Sequence, residues 1–423
     1  MPDYKPTDFS LADFQWNDNP DVLSPPDDFV EWRQHPEIQL AFDLFEQPLH
    51  DAPGSRTVME SNVDGQSREM INLTSYNYLG LSKHPEVVEA TKRAADEYGI
   101  GATGSAMLSG TFDLHREFAE RLADFKDEEA CMLFSSGLGG NMGALQGMLQ
   151  KGDVLIMDEK CHKSIVDGAT LSGAKLVSFE HNDAESLDAQ LERQDAERQL
   201  VIVEGVYSMD GDLADLPAIH EVCEEHDVPI YIDEAHSTLL FGENGQGVAE
   251  HFGLEDEMGV TFGTLSKAFG GVGGFVCSNE PLIEYLKSYA SPFQFSCALP
   301  PPIVAGLMKS LEVATRDDSL QEELWDNVEY FRSNLEELNL DLGESESQII
   351  PIIIGSSGQM LYPMAFEAQQ RGLFIQPIDF PAVDASKRRF RVSVSSELSK
   401  EDIDEACNII EDVIAKPLKE MQG

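Results

Sequence analysis

The sequence has few positive charges and no long apolar run. Lysine and arginine together number 29, against 77 aspartate and glutamate residues, and the formal net charge is -48 at pH 7. Such a chain repels nucleic acid and anionic membrane surfaces, so neither is expected as a partner. No apolar stretch reaches the roughly 18 residues of a membrane-spanning helix. Residues 1–5 show no basic start of a secretion signal, and we expect a cytoplasmic protein.

Cysteine is also scarce, and no two cysteines are spaced as a motif. The six cysteines form no CxxC pair, which excludes zinc-ribbon and thioredoxin-like sites, and no metal site is predicted. Several of them lie in apolar runs, where a free thiol behaves as a small hydrophobe. This pattern fits a reducing compartment.

The acidic residues are spread along the chain and are not gathered in one tail. Acidity over a whole surface predicts a host with a salty cytoplasm, because salt screens the repulsion between the charges. The alternative is an ordinary acidic protein.

Short apolar runs alternate with helical stretches from about residue 130. The seven candidate strands are residues 130–134, 154–157, 175–179, 200–203, 230–232, 259–262 and 274–277. This alternation predicts an α/β fold with a mostly parallel seven-stranded sheet covered on both faces. In such sheets ligands bind beyond the carboxyl ends of the strands.

The run Pro300-Pro301-Pro302 predicts a domain boundary. We expect an N-terminal extension with a helix at residues 1–70, a large domain at 71–300 and a smaller C-terminal α+β domain at 301–423. In the small domain, residues 349–355, 373–377 and 390–394 are predicted strands. Predicted helices are residues 29–46, with a break at Pro36, and residues 303–313, 320–338 and 401–414.

Lys267 lies among hydroxyls and glycines in the segment Gly263-Thr264-Leu265-Ser266-Lys267-Ala268-Phe269-Gly270. Upstream, an apolar run ends in Asp233-Glu234-Ala235-His236. An amine can form a Schiff base with an aldehyde, Thr264 and Ser266 can bind a phosphate, and Asp233 can pair with a protonated ring nitrogen. His236 can bond a phenolic oxygen. Together the two segments predict a site for pyridoxal 5'-phosphate (PLP).

Other polar residues also follow candidate strands, and each has a structural alternative. Ser135-Ser136-Gly137 precedes a helix whose free amides can bind a phosphate, although small residues are common in such turns. His162 can stack on a flat ring, or it can simply bond near a helix start. Ser208 can approach the ring, and Asp210-Gly211 can equally form a turn.

Arginines near residue 390 are candidates for binding a carboxylate. If this segment is a strand, Arg389 and Arg391 share one face and Arg388 points away. An arginine fork suits a substrate carboxylate. The alternative is a charged edge strand.

From about residue 71 to residue 414 the chain resembles the α-oxoamine synthase family of fold-type-I PLP enzymes. The resemblance rests on these segments: Ser75-Tyr76-Asn77-Tyr78-Leu79-Gly80-Leu81, Ser109-Gly110-Thr111 with His115, Asp158 with His162, residues 204–211, 233–237, 263–274 and 389–391.

The resemblance implies a role for each matching residue. Lys267 would bind PLP covalently, Asp233 would face the pyridine nitrogen, His162 would stack on the ring, and His236 and Ser208 would approach the phenolic oxygen. The implied phosphate contacts are Ser136, Gly137, Leu138, Thr264 and Ser266. Ser296 and Cys297 would reach the neighbouring subunit's phosphate in a homodimer. The implied substrate-binding residues are Asn77 and Arg391.

The implied reaction is a decarboxylative condensation of an amino acid with an acyl-CoA. Residues 75–80 and 204–211 are closest in sequence to serine palmitoyltransferases. This similarity favours L-serine and a long-chain acyl-CoA as substrates, and a place in sphingolipid biosynthesis. The alternatives are 8-amino-7-oxononanoate synthase or 2-amino-3-ketobutyrate CoA ligase activity, and next a PLP aldolase or aminotransferase. A non-catalytic partner subunit is disfavoured because Lys267, Asp233 and His162 are all present. Leu138, Ala106 and Cys297 depart from residues common in the family, and they bear on the substrate.

Overall fold

The computed structural model describes residues 9–14, 16–17, 19–316, 318–355 and 360–422. The N-terminal segment considered above for a secretion signal lies outside these residues. The chain divides into two compact units, one of residues 76–325 and one of residues 1–75 together with 326–423.

The strands are β1 Arg56–Glu60, β2 Ser67–Asn72, β3 Ala130–Phe134, β4 Val154–Asp158, β5 Lys175–Phe179, β6 Gln199–Glu204, β7 Ile230–Asp233, β8 Val260–Thr264, β9 Gly274–Ser278, β10 Ile349–Ile353, β11 Leu373–Phe374, β12 Gln376–Ile378 and β13 Arg389–Ser393. The helices are α1 Asp27–Arg33, α2 Pro36–Asp43, α3 Pro85–Tyr98, α4 Asp113–Lys126, α5 Gly137–Met148, α6 Lys163–Ser172, α7 Ala184–Glu192, α8 Leu216–Glu225, α9 Val248–His251, α10 Glu280–Tyr289, α11 Ser291–Phe295, α12 Pro301–Arg316, α13 Ser319–Glu337, α14 Leu361–Gln370, α15 Lys400–Ile410 and α16 Lys416–Gln422, with a π-helical turn at Glu411–Ala415.

A seven-stranded sheet forms the centre of the unit of residues 76–325. Its strand order is β3-β9-β8-β7-β6-β4-β5, and only β9 runs antiparallel to its neighbours. The predicted mostly parallel sheet is therefore confirmed, with all seven predicted strands in it. Strands β4, β7 and β8 are buried along their whole length, because helices cover both faces of a parallel sheet. This is why their sequences are nearly continuous apolar runs.

Helix α5 approaches the sheet closely because its inward face is built of glycines. A Cβ atom at Gly140 would lie 2.7 Å from the Phe262 ring, and one at Gly143 would lie 2.9 Å from the Phe134 ring. Larger residues would push the helix away from the strands. The close packing fixes the first turn of α5 beside the carboxyl ends of β3 and β8.

The second unit contains two small sheets. One has the order β1-β2-β11, in which an N-terminal strand pairs with a strand from the C-terminal part of the chain, Leu373 opposite Ile71. The other has the order β10-β13-β12. Because β13 is central and fully buried, the interpretation of residues 389–391 as a charged edge strand is wrong.

The boundary between the units falls inside α13 and not at Pro300-Pro301-Pro302. Helix α12, which begins at Pro301, packs on α3 so tightly that a Cβ atom at Gly306 would lie 2.4 Å from the Thr91 hydroxyl. The prolines therefore start a helix of the first unit, which suits proline in the first turn. The segment Met1–Ser75 forms one unit with the C-terminal segment Asp326–Gly423, and the predicted domain bounds at residues 70 and 300 remain predictions.

None of the helices described is long and apolar enough to cross a membrane.

The net charge of -48 predicts a stability that depends on salt. At 0.01 M salt the Debye length is about 30 Å and the acidic groups repel one another, whereas at 1 M it is about 3 Å. We expect the melting temperature to rise by roughly 5 °C or more between 0.1 M and 2 M sodium chloride, on the order of 2 kcal/mol. Sucrose, which does not screen charge, is the control. A flat or falling melting temperature would contradict the halophilic interpretation.

Candidate active site

Five strands of the large sheet deliver polar side chains to one edge. β3, β4, β6, β7 and β8 are parallel, so their carboxyl ends lie on the same side. The residues that follow these ends are Ser136, His162, Ser208, His236 and Lys267, and Asp233 is the last residue of β7. The structure thus gathers the predicted residues at the edge where parallel sheets bind ligands.

Asp233 is a buried carboxylate held by two neutral donors. Its Oδ2 accepts a hydrogen bond of 2.7 Å from the Asn141 amide, and its Oδ1 accepts one of 3.0 Å from the backbone N–H of Ala235. Burial raises the pKa of Asp233, and the positive charge of Lys267 opposes that rise. Neither donor carries a charge, so neither neutralises the carboxylate. A protonated ring nitrogen would supply the missing positive charge.

His162 stands at the start of α6 with its ring exposed. Its Nδ1 lies 2.7 Å from the Ser164 hydroxyl and accepts from the Ser164 backbone N–H at 3.3 Å. Its own backbone N–H donates to the buried carboxylate of Glu204. Partial burial lowers the pKa of His162, while Asp233 opposes that effect. The imidazole thus combines a hydrogen bond to Nδ1 with a lowered pKa.

Hydroxyls and a helix start form a small polar cradle. The Thr264 and Ser266 hydroxyls lie 2.9 Å apart, and Ser136 caps α5 by accepting from Gly139 N–H at 3.0 Å. A Cβ atom at Gly137 would lie 2.7 Å from the Thr264 hydroxyl, so only glycine leaves the space open. Hydroxyl donors around free helix amides are suited to a phosphate.

Lys267 and His236 both lie near tyrosines. The Lys267 ammonium is 5.9 Å from the centroid of the Tyr76 ring. His236 is buried, its Nδ1 lies 2.9 Å from the Tyr78 hydroxyl, and the Tyr76 ring meets it edge-on at 5.8 Å. The aromatic contacts restrict the rotation of the imidazole, and they place Lys267 beside a face that favours a cation.

The remaining predicted residues of this unit differ in exposure. Ser208 is half-buried, whereas Leu138 is 53% exposed and Cys297 is also exposed. The Ser296 hydroxyl lies 3.1 Å from that of Ser135, which joins the 296–297 segment to the cradle. Asn77 is buried, and its side-chain oxygen accepts from Ser82 N–H at 3.1 Å.

Arg391 lies in the other unit. It is buried on β13, opposite Pro351 in β10 and Gln376 in β12, and its neighbour Arg389 is 1% exposed. Arg388 bonds to the carboxylate of Asp379, outside the strand. The role of Arg391 in substrate binding remains a prediction.

Four buried residues that no sequence pattern indicated lie next to the site residues and hold them. Asn141, Ser164, Glu204 and Tyr231 are all buried, and none of them was a candidate. Asn141 could have been noticed as a polar residue on a glycine-rich apolar helix, where an amide needs a buried partner. Its partners are 23, 90 and 92 residues away, and no local pattern identifies them.

His181 braces two loops of the site. Its Nδ1 lies 3.0 Å from both carboxylate oxygens of Asp158, four residues before His162, and its Nε2 lies 2.6 Å from Asp212, four residues after Ser208. Burial alone would lower the pKa of His181, but these two carboxylates raise it to about 9. The ring is thus a cation that bridges two anions.

This brace predicts a stability that falls in alkali. The pKa of His181 is higher in the folded protein than its unfolded value of 6.5, so its contribution is complete below that value and is lost as the pH rises through about 9. We expect His181→Gln to lower the free energy of unfolding by roughly 2–3 kcal/mol at pH 6. The free energy of unfolding of this variant should also change less between pH 7 and pH 10 than that of the wild type. Chemical denaturation across that range measures both. His220→Gln, which removes a 3.7 Å contact with Glu257, is the control. Parallel curves for all three proteins would refute the bridge.

Residues 68–410 match the family described as aminotransferase class I and II. The chain belongs to the class I and II aminotransferase family. Among its relatives, 8-amino-7-oxononanoate synthase of Thermoanaerobacter pseudethanolicus is 41% identical over 367 residues, which cover 86% of this chain and 91% of that protein. 4-Hydroxy-2,2'-bipyrrole-5-methanol synthase of Serratia sp. is 34% identical over 404 residues. These residues cover 95% of this chain and 61% of that longer protein.

A solved structure of serine palmitoyltransferase with a PLP internal aldimine is similar throughout. It is 32% identical, the alignment covers 93% of this chain and 98% of the other, and the TM-score is 0.87. Within its family the chain is therefore an α-oxoamine synthase, a PLP-dependent enzyme that condenses acyl-CoA. The fold and the cofactor predicted from the sequence are confirmed. The preference for serine palmitoyltransferase is less well supported, because the relatives favour 8-amino-7-oxononanoate synthase.

The residues of the site fit PLP. The buried Asp233, held by neutral donors, suits the ring nitrogen, the cradle of Thr264, Ser266 and Gly137 suits the phosphate, and Lys267 suits the aldehyde. When bound, PLP supplies an electron sink for the bond changes at the amino-acid α-carbon. The roles of Asp233 at the ring nitrogen and of Lys267 in moving a proton remain predictions.

Proposed function

We propose that this protein is an 8-amino-7-oxononanoate synthase. The observation that carries the proposal is the 38–41% identity to several enzymes of that name over more than 80% of this chain. The product name defines the substrates, because the condensation joins the acyl carbonyl to the amino-acid α-carbon and releases carbon dioxide and CoA. Carbons 1 to 7 then come from a seven-carbon dicarboxylic acyl-CoA, and carbons 8 and 9 from alanine.

The proposed roles in this reaction follow from the site. The Lys267 amine takes the α-proton of the amino acid, since the ring of Tyr76 and the carboxylate of Asp233 hold it near the strand ends. Asp233 favours protonation of the ring nitrogen. The His162 face orients the ring, and the pair of Thr264 and Ser266 binds the phosphate. His236 and Ser208 complete the set near the phenolic oxygen.

A second candidate is condensation of L-serine with a long-chain acyl-CoA. The likeness to serine palmitoyltransferase over 93% of the chain favours it. The two candidates differ in the amino-acid side chain, methyl against hydroxymethyl, and in the far end of the acyl chain, carboxylate against methyl.

A matrix of substrates separates the two. Alanine, serine and glycine are each combined with pimeloyl-, palmitoyl- and acetyl-CoA, and both thiol release and carbon dioxide from a labelled carboxyl are measured. Alanine with pimeloyl-CoA is expected to give the highest kcat/KM. Serine with palmitoyl-CoA as the best pair would reject the main proposal and support the second. Lys267→Ala is the blank for both assays.

Arg391 is proposed to bind the amino-acid carboxylate. A charge-assisted fork contributes roughly 1.5–3 kcal/mol, so Arg391→Ala is expected to raise the KM for the amino acid by roughly ten- to a hundredfold. Affinity for PLP, measured by absorbance titration, should change little. Arg388→Gln on the same segment is the control, because its partner is Asp379. An unchanged KM would move the role elsewhere, with Arg389 as the first candidate.

We also propose that the active unit is a homodimer in which Ser296 and Cys297 reach the neighbouring subunit's phosphate. The exposure of Phe295, at 82%, at the end of α11, and of Cys297 two residues later supports this. Sedimentation velocity at 0.1 M and 2 M sodium chloride measures the assembly. A monomer at both salt concentrations that remains active would reject it.

A further inference from the structure

A chain of directional hydrogen bonds runs behind the site. The Tyr231 hydroxyl donates to the Asn141 side-chain oxygen at 2.6 Å. The Asn141 amide nitrogen then has two protons, and it lies 2.7 Å from Asp233 Oδ2 and 3.2 Å from the Ser164 hydroxyl oxygen. Each of these side chains is buried.

The direction of each bond follows from what the groups can donate. A carboxylate only accepts, so the oxygen of Asn141 cannot face Asp233, and the Tyr231 proton fixes the amide in the same orientation. Ser164 accepts from Asn141, and its hydroxyl lies 2.7 Å from His162 Nδ1. Nδ1 accepts from the Ser164 backbone N–H, so the hydroxyl is the donor in this second contact as well. Two donors point at Nδ1, so the imidazole proton lies on Nε2.

The position of His162 gives an independent reason for a neutral ring. His162 is the N-cap of α6, a helix of ten residues, and its side chain accepts from the first turn. The partial positive charge of a helix N-terminus disfavours a cationic side chain. The charged groups that act on the His162 ring are Asp233 and Asp167, which favour protonation, and Lys267, which disfavours it, while the carboxyl of Glu204 accepts from the His162 backbone N–H.

We propose that Asn141 and Ser164 are positioning residues that relay the orientation of the Asp233 carboxylate to His162 and hold His162 as a neutral imidazole protonated on Nε2. The relay joins the group that faces the ring nitrogen of the cofactor to the group that stacks on its ring. It makes the two orientations interdependent, although neither Asn141 nor Ser164 needs to touch the cofactor.

The apo protein tests this without any assay of activity. Two-bond proton–nitrogen spectra of protein with ¹⁵N-labelled histidine report the proton position and the titration of each ring, and His162→Asn identifies the His162 signal. We expect a neutral ring with its proton on Nε2 at pH 7. A proton on Nδ1, or a charged ring at that pH, would overturn the proposal.

Variants of Ser164 test the link to His162. Ser164→Ala removes the hydroxyl donor, so the pKa of His162 should rise toward its ordinary value, whereas Ser164→Thr keeps the hydroxyl and should restore the wild-type titration. Thr170→Ala, which removes a hydroxyl bonded to Val166 on the same helix, is the matched control. Equal titration curves for Ser164→Ala and wild type would overturn the relay.

Asn141→Leu tests the first link. If Asn141 orients the Ser164 hydroxyl, the effect of Ser164→Ala on His162 should be smaller in the Asn141→Leu background than in wild type, as expected for residues of one network. An equal effect in both backgrounds would remove Asn141 from the relay. Circular dichroism confirms folding, and if Asn141→Leu does not fold, the Ser164 series still decides the His162 link.

Discussion

Lys267→Ala is expected to give a folded protein whose condensing activity falls by about ten-thousandfold or more, because the variant loses both the amine that binds PLP and the base that takes the α-proton. The position of Lys267 after β8, next to Ser266 in the chain and 5.9 Å from the centroid of the Tyr76 ring, is the reason for this expectation. Borohydride reduction followed by peptide mapping should attach PLP to the peptide that contains Lys267 in the wild type.

Lys163→Ala is the matched control for that experiment. Lys163 is exposed, near the same edge, and paired with Asp167 four residues along α6. It should keep activity and labelling. PLP fixed to another lysine, or turnover that survives Lys267→Ala, would contradict the assignment.

Asp233→Asn should retain PLP but lose about a hundred- to a thousandfold in kcat, since a fixed charge aimed at the reacting system is removed. The change preserves the size of the side chain, but the single amide oxygen can accept from only one of Asn141 and Ala235, which bond different oxygens of the carboxylate. The absorbance spectrum of the loaded variant as a function of pH measures the protonation of the ring.

Asp167→Asn is the control for Asp233→Asn, because it removes one negative charge near His162 without touching the carboxylate on β7. It should change kcat by less than about threefold, as surface charges do. Near-normal turnover of Asp233→Asn would exclude Asp233 as the partner of the ring nitrogen.

The large sheet was predictable because its strands carry their signal locally. Residues 130–134 and 175–179 are short runs of apolar residues between polar turns, and the structure has strands at the same bounds. β1 and β2 were missed since they mix charged residues with apolar ones, and β2 pairs with β11, a strand near the other end of the chain. The terminal helix was predicted as one piece, but a π-helical turn interrupts it.

The candidate site shows the same division. Residues that come directly after strands, such as His162 and Lys267, could be placed at one edge by topology alone. Asn141 and Ser164 could not be placed in this way, because each lies on a helix and its hydrogen-bond partner is distant in the sequence. The bounds of the domains remain a prediction, because a run of prolines breaks a chain locally, whereas the side of the boundary on which α12 lies depends on its packing against α3.

The discontinuous unit has a consequence for synthesis on the ribosome. The segment Met1–Ser75 leaves the ribosome first, yet its partner is the segment Asp326–Gly423, and the whole of Tyr76–Trp325 must be made in between. At about 5–20 residues per second this takes roughly 10–50 s. We expect the unit of residues 76–325 to fold during that interval. The N-terminal segment stays unpaired meanwhile, and repulsion between its acidic residues keeps it from aggregating. Synthesis of β11 is then the earliest event after which β2 can find its partner.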